Sequence, residues 1–316
     1  MLWWPGHRCR SSVGWVRVAL ACLFACLGTA FAAPVVWVIA SDTGSAYKEA
    51  TDALVQQLER GGLRGSDIAL TNAKDFHSQE TPPKLYIALG TEALRSVLAV
   101  EPRAPVLAAL IPKSAYERVL RDADRKSVSF LSVLYLDQPV HRQVNLVMLA
   151  LPEARRIGVL WGSESVQHQN QLQVLARSHG LQLNEALVTQ SGGLFAGLRD
   201  VLESSDVLMM FPDSQVYNAS TVANVFLTTY RSRVPVLAFS PGYAKAGGLL
   251  SLHASAEQIG RQAGSMARQL LGGSGNAVQY PAEFVVTVND RVARSLGINL
   301  NEVDLSQRLQ RLERRP

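Results

Sequence analysis

The sequence predicts an α/β protein of two units, each a largely parallel sheet with helices on its faces. Short runs rich in Val, Ile and Leu alternate with longer segments of helical periodicity, and a polar turn follows most of the runs. The length of 316 residues suits two such units.

The first unit opens with the apolar run 35–40, breaks at Ser41-Asp42-Thr43-Gly44 and continues as an amphipathic helix over 45–60. Strand, polar turn and helix make half of a βαβ unit. The pattern returns at 85–89, where Gly90-Thr91 leads into a helix over 92–100. It returns again at 105–110, where Ile111-Pro112 leads into a helix over 113–122. A run at 128–136 completes this part.

A helix over 140–150 leads to the run 156–161, and the alternation restarts. Gly162-Ser163-Glu164 opens a helix reaching 178, 181–188 is a strand, and 193–203 is a helix. The strand 206–211 ends in Pro212-Asp213-Ser214, a helix follows over 216–231, and 235–239 ends in Ser240-Pro241-Gly242. The rhythm then changes: a strand at 248–252, a strong helix over 256–271, a Gly-rich turn at 272–276, a last strand at 283–288 and a helix over 290–296. Residues 307–316 are charged and expected to fray. No strict internal repeat appears.

Composition narrows the function classes. With 47% apolar and 18% charged residues the chain is globular. Its net charge of +5 owes three units to Arg8, Arg10 and Arg17; the rest balances 28 Lys+Arg (31 less three) against 26 Asp+Glu. So small a balance argues against a nucleic-acid surface. The arginines precede an apolar run at 18–27 and the A-x-A spacing Ala30-Phe31-Ala32, which together read as a secretory signal over 1–32. Cleavage near Ala32 or Ala33 would remove Cys9, Cys22 and Cys26, all three cysteines, and with them any disulfide framework, thiol nucleophile or thiolate metal site. The expected location is the bacterial periplasm. Leu23-Phe24-Ala25-Cys26 loosely resembles a lipoprotein box, so a lipid anchor at Cys26 is the lesser alternative, since Phe24 fits that box poorly.

Enzyme signatures are missing: the sequence has no G-x-S-x-G, P-loop, H-E-x-x-H or strand-following G-x-G-x-x-G. No enzyme activity, cofactor or metal is expected. His77, His141, His168, His179 and His253 fall on separate elements or three turns apart and read as solvated surface residues.

Three segments then carry a resemblance. Leu151-Pro152-Glu153-Ala154-Arg155-Arg156-Ile157-Gly158-Val159-Leu160 is the first. The second is Ala246-Gly247-Gly248-Leu249-Leu250-Ser251 with Glu257-Gln258-Ile259-Gly260-Arg261-Gln262-Ala263-Gly264, and the third is 281–297. Together they resemble the substrate-binding proteins of ABC transporters, in the family labelled tryptophan/tyrosine-type, most specifically in the Ile-Gly-Arg-Gln-Ala-Gly helix. The resemblance implies the type I periplasmic binding fold: two Rossmann-like lobes joined by three hinge crossings, near Asp137, Gly248 and Pro281. The first lobe would comprise 33–137 and 248–281, the second 138–247 and 282–300, with 301–316 a charged tail. A small ligand, an amino acid or related carboxylate, would lie between the lobes and pass to an ABC permease of the inner membrane. The alternative is a sensor of the same fold that signals to a membrane receptor or kinase. A monomer without nucleic-acid partners is expected.

In open α/β sheets ligands bind outside the carboxyl ends of the strands. The turns there supply the candidate ligand-binding residues Ser41, Asp42, Thr43, Gly90, Thr91, Ser163, Asp213, Tyr217, Ser240 and Tyr243. N–H groups at a helix start can hold a carboxylate, yet Ser, Thr and Asp are also ordinary helix caps there. Asp213 can pair with a ligand ammonium or cap the next helix. Tyr217 and Tyr243 can offer a flat face to a ligand or pack in the core. At the end of the 105–110 run, Leu110-Ile111-Pro112-Lys113 departs from the family's polar turn, which points either to a more apolar ligand or to a binding protein whose task has shifted.

Overall fold

Among the described residues twelve strands form two six-stranded sheets, and what decides each strand's sheet is which core its apolar residues fill. The computed structural model describes residues 1–2, 34–78, 81–123, 130–189 and 193–314. The expected signal segment and the anchor at Cys26 lie outside them.

The first sheet contains β1 (Val36–Ala40), β2 (Ile68–Asn72), β3 (Leu85–Leu89), β4 (Val106–Ile111), β5 (Leu131–Tyr135) and β11 (Val278–Gln279), in the order β11-β5-β4-β3-β1-β2. All its pairings are parallel. β3 and β5 are buried at every residue, because helices cover both faces of a parallel sheet. The helices are α1 (Ser45–Arg60), α2 (Thr91–Ala99) and α3 (Lys113–Asp122).

The second sheet contains β6 (Arg156–Trp161), β7 (Gln182–Leu187), β8 (Val207–Met209), β9 (Val236–Ala238), β10 (Leu250–His253) and β12 (Val285–Val288), in the order β12-β10-β9-β8-β6-β7. Only β12 runs antiparallel to its neighbour. Around it lie α4 (Val140–Ala150), α5 (Gln169–Ser178), α6 (Leu194–Glu203), α7 (Val222–Arg231) and α8 (Pro241–Ala246). Further along come α9 (Ala256–Leu271), which belongs to the first lobe, then α10 (Asp290–Leu296) and α11 (Glu302–Glu313).

The α/β architecture of two lobes with three crossings is as expected, with corrections in detail. The second crossing lies at Ala254-Ser255 rather than near Gly248. Leu249, Leu250 and Leu252 fill the second-lobe core beside Leu237 and Val286, while Ala254 already belongs to the first-lobe core. The tail does not fray within the described residues: α11 buries Leu305 and Leu309 in the second-lobe core, against α4. The helix expected from 216 begins at Val222, because Thr221 Oγ accepts from Asn218 N–H and donates to Val216 O, holding a turn. The helix expected after Ser163 opens as a 3₁₀ turn, Val166–His168. Strands β2 and β11 were not anticipated.

The Ile259-Gly260-Arg261-Gln262-Ala263-Gly264 segment has a packing reason. A Cβ on Gly260 would run into the Ala50 carbonyl, and one on Gly264 would lie 2.6 Å from Gln57 Cβ. The two glycines let α9 lie directly on α1. The α9 N-terminus carries a capping box, with Ser255 Oγ accepting from Gln258 N–H and Gln258 Oε1 accepting from Ser255 N–H.

Candidate functional site

A cavity of about 170 Å³ opens against the first crossing, at Leu136, Asp137 and Gln138. Its apolar wall consists of Pro112, Leu136, Phe211, Pro212, Phe239 and Leu252; its polar lining is Asp137, Gln138, Gln143, His168 and Ser240. Pro112 follows β4, Phe211 and Pro212 follow β8, and Phe239 and Ser240 follow β9. The cavity therefore sits at strand carboxyl ends of both sheets, where such folds hold ligands. Beside β4's exit the pairing with β5 slips between Ala108 and Ile111, and Leu110 adopts φ 53°. This bulge turns the chain so that Pro112 reaches the cavity.

The aromatic side is layered. Phe211 lies 5.0 Å from the Trp161 ring, and His168 stacks on Phe211 at 5.5 Å with 18° between planes. Burial, with the Lys113 charge, pushes the His168 pKa down to about 4, so the ring is neutral near pH 7. The surface role expected for His168 is thus corrected: its side chain is 6% exposed. His253 is likewise half-buried, with its pKa lowered by burial. Asp137 accepts a 2.7 Å hydrogen bond from Lys113 N–H at the start of α3. Burial nevertheless raises its pKa to about 6, which the Lys113 contacts only partly offset.

Gln138 is 6% exposed and tightly framed. Arg142 Nη1 donates to Gln138 Oε1 at 2.8 Å and to Pro281 O at 2.8 Å, and Gln143 Nε2 donates to Gln138 O at 3.0 Å. Gln138 Nε2 has no hydrogen-bond partner among the described residues.

The candidates drawn from the turns fall into two groups, and of them Ser240 alone lines the cavity. In the first lobe, Ser41 Oγ accepts from Ala93 N–H at 2.9 Å and so caps α2, whose first residue is Thr91. Gly90 packs on this group with φ 91°; a Cβ there would lie 2.6 Å from Ser41 Oγ. Asp42 and Thr43 are exposed, and Asp42 Oδ1 accepts from Thr43 N–H. In the second lobe, Asp213 is 3% exposed and its carboxylate is fully engaged. Oδ2 accepts from Glu164 N–H at 3.0 Å, Ser165 N–H at 2.8 Å and Ser165 Oγ at 2.8 Å; Oδ1 accepts from Gln215 N–H at 2.9 Å. The ammonium contact considered for Asp213 is replaced by this cross-brace between two turns. Ser163 is exposed, its N–H donating to Gln215 Oε1 at 3.2 Å. Tyr217 is buried, and half-buried Tyr243 donates to Tyr217 O at 3.2 Å. Both pack behind Phe239, Tyr243 edge-on at 4.8 Å. Of these three aromatic residues Phe239 lines the cavity and the two tyrosines do not. Ser240 caps α8 through Tyr243 N–H.

Arg118 of α3 forms an ion pair with Glu164, whose other oxygen accepts from Ser214 N–H at 2.9 Å. This joins the first lobe to the second-lobe turns. Among the described residues no cluster of three His, Cys, Asp or Glu side chains suits a metal, and no helix is long and apolar enough to cross a membrane.

Residues 46–310 match the family described as ABC transporter substrate binding protein. The chain belongs to this family. A search of curated proteins found no match. Among solved structures, a ligand-free, open substrate-binding protein with adhesive properties from Clostridium difficile is similar at TM-score 0.67 and 21% identity, covering 84% of this chain and 95% of that one. An ABC domain from Streptococcus pneumonia in complex with L-Trp matches at TM-score 0.60 and 18% identity, over 87% and 98% of the two chains. An R. palustris solute-binding protein in complex with 4-hydroxybenzoate matches at TM-score 0.52 and 9% identity, over 76% and 80%. At these identities the likeness shows the fold, a type I periplasmic binding protein.

For a substrate-binding protein of this fold, sequence reading found the strand-end turns but missed most of the cavity. Gln138, Gln143 and His168 lie on a crossing or a helix. Phe211 and Phe239 close apolar runs and look like ordinary core. One signal was present, Asp137-Gln138-Pro139 at the expected first crossing.

Proposed function

We propose that this protein captures a small organic molecule, an amino acid or related carboxylate, between its lobes and delivers it to an ABC permease. It works as an exported monomer and performs no chemistry on its cargo. The observation that supports this reading is the aromatic-walled cavity at the first crossing, lined from both lobes. A molecule held there touches both sheets at once, so closing the lobes on it buries it, and hinge opening releases it.

The test is a thermal-shift screen of refolded protein against amino acids, aromatic carboxylates, nucleosides and small peptides, with tryptophan fluorescence as second readout. Trp161 abuts Phe211, so its emission should respond to occupancy. Ligand at 100 times its Kd should add about 2.7 kcal/mol, a rise of more than ~5 °C in Tm for a protein of this size. A flat screen with folded protein would refute capture of these ligand classes.

A further inference from the structure

The second lobe is unevenly charged at the strand ends opposite the cavity. Strands β8, β9 and β10 run parallel, so the segments entering β9 and β10, 231–235 and 245–249, both lie at the amino ends of the sheet. β12 runs antiparallel, so the segment leaving it, 289–294, joins them there. Main-chain hydrogen bonds hold the three side by side: Leu249 N–H donates to Val236 O and Asn289 N–H to Leu249 O, both at 2.9 Å. At about 4.8 Å from strand to strand they share a strip about 10 Å wide.

Five cations stand on this strip: Arg231 and Arg233 before β9, Lys245 before β10, and Arg291 and Arg294 after β12. All five are exposed, and among the described residues none is in an ion pair. Lys245, Arg291 and Arg294 border a single groove. The three segments hold one acid, Asp290. Glu302 of α11 also reaches this end, but its carboxylate accepts from Val288 N–H at 2.9 Å.

Two ordinary causes do not account for the excess. Helix dipoles favour cations wherever a helix ends, yet at the corresponding end of the first lobe Arg60, Arg103 and Arg121 each stand within two positions of an acid, Glu59, Glu101 and Asp122. Nor is the whole chain basic, since outside Arg8, Arg10 and Arg17 it balances 28 Lys+Arg against 26 Asp+Glu. Arg233 is moreover kept against the preference of its backbone. It has φ 55° in the turn that ends α7, its N–H donating to Tyr230 O and Val234 N–H to Thr229 O, a position that normally falls to glycine.

The partner that fits is an extended anionic surface, because the cations are spread over three segments instead of converging in a closed pocket. Beside them Leu227, 46% exposed, and Tyr230, 59% exposed, lie one turn apart on the outer side of α7. Two such side chains are too few for the apolar centre of a protein interface. They suit the headgroup layer of a bilayer, where aromatic rings settle and basic side chains meet anionic lipids.

We propose that this end of the second lobe docks on anionic lipid headgroups, with the five cations meeting the phosphates and Tyr230 entering the headgroup layer. The docking is independent of the cargo, because the cavity lies at the opposite ends of the strands.

The experiment sediments the exported protein with vesicles of equal parts phosphatidylglycerol and phosphatidylcholine, and with vesicles of phosphatidylcholine alone. Binding to the mixed vesicles should be stronger by about tenfold, and should disappear in about 1 M salt, where the screening length is about 3 Å. The triple variant Arg231→Glu, Lys245→Glu, Arg291→Glu should lose the preference for mixed vesicles. The triple variant Arg60→Glu, Arg103→Glu, Arg121→Glu, of the same net charge but altered in the first lobe, should keep it, with Tm showing that both variants fold. Equal binding to the two kinds of vesicle, or equal loss in the two variants, would overturn the inference. Binding to heparin or peptidoglycan without binding to the mixed vesicles would overturn it too, and assign the surface to a polyanion that is not a membrane. Should the reversed variant not fold, Arg231→Gln, Lys245→Gln, Arg291→Gln replaces it under the same criteria. None of these outcomes bears on cargo capture, which the ligand screen reads separately.

Discussion

The second-lobe turns and the first crossing both place polar side chains near the gap between lobes, yet they treat them in opposite ways. In the turns, Asp213 accepts four hydrogen bonds and Glu164 is divided between Arg118 and Ser214 N–H. At the crossing, Gln138 has its oxygen tied down and its nitrogen left over. The two carboxylates of the turns are spent on the frame, whereas the Gln138 nitrogen at the crossing and the Tyr217 hydroxyl behind Phe239 are left without partners among the described residues. A polar residue at a strand end therefore says little about ligand contact until its partners are counted.

The largest effect expected from breaking this contrast is at Asp213. Asp213→Ala would strand three backbone N–H groups and the Ser165 hydroxyl, costing about 3 kcal/mol of stability. Urea unfolding would show it as a lowered midpoint. An unchanged midpoint with lost ligand affinity would make Asp213 a ligand contact after all.

Acid sharpens the comparison inside the cavity, where two groups titrate in opposition. Asp137 has its pKa raised from 3.8 to about 6, so its contribution is full below pH ~4 and is lost as pH rises through 6. His168 has its pKa lowered from 6.5 to about 4, so its contribution is present above pH 6.5 and is lost as pH falls through 4. Each shift corresponds to about 3 kcal/mol. Between pH 6.5 and 4 the two nearly cancel in the wild type. Asp137→Asn should leave a protein that loses stability on acidification over this window, and His168→Gln one that gains it. Tm measured across pH decides; parallel profiles for the two variants would refute the assignment.

Gly260→Ala probes a region remote from both. Because the added methyl meets the Ala50 carbonyl, α9 must move off α1, at about 2 kcal/mol. Binding of any ligand found should be unchanged, since the cavity lies elsewhere. A smaller effect than that of Asp213→Ala is expected for Ser165→Ala, which removes one of the four donors to Asp213 and the acceptor of Gly162 N–H and should cost about 1 to 2 kcal/mol in the same urea assay. A loss as large as that of Asp213→Ala would mean the hydroxyl alone holds the brace.

Much of the fold was legible because strand and helix patterns are local. The runs at 35–40, 85–89 and 156–161 and the helix at 256–271 announce themselves by composition and period, and the strands and α9 lie within a residue of where they were expected. β2 was not, since Ile68–Asn72 is a half-buried edge strand without a continuous apolar run. The second crossing was misplaced by several residues. Gly247-Gly248 looks like a break, whereas the chain changes lobes only after Leu252 has filled the second core.

What the sequence alone determined was the alternation of strand and helix, the number of lobes and the strand ends at which a site can lie, all consequences of local periodicity. What only the tertiary structure decided was which polar groups there remain free. Asp213 is spent on residues 48 and 49 positions away, and Gln138 is oriented by an arginine that Pro281 and Glu313, 139 and 171 positions beyond it, hold in place. Hydrogen-bond partners so distant in the chain leave no periodic trace in it. Whether a buried donor is satisfied depends on those partners alone.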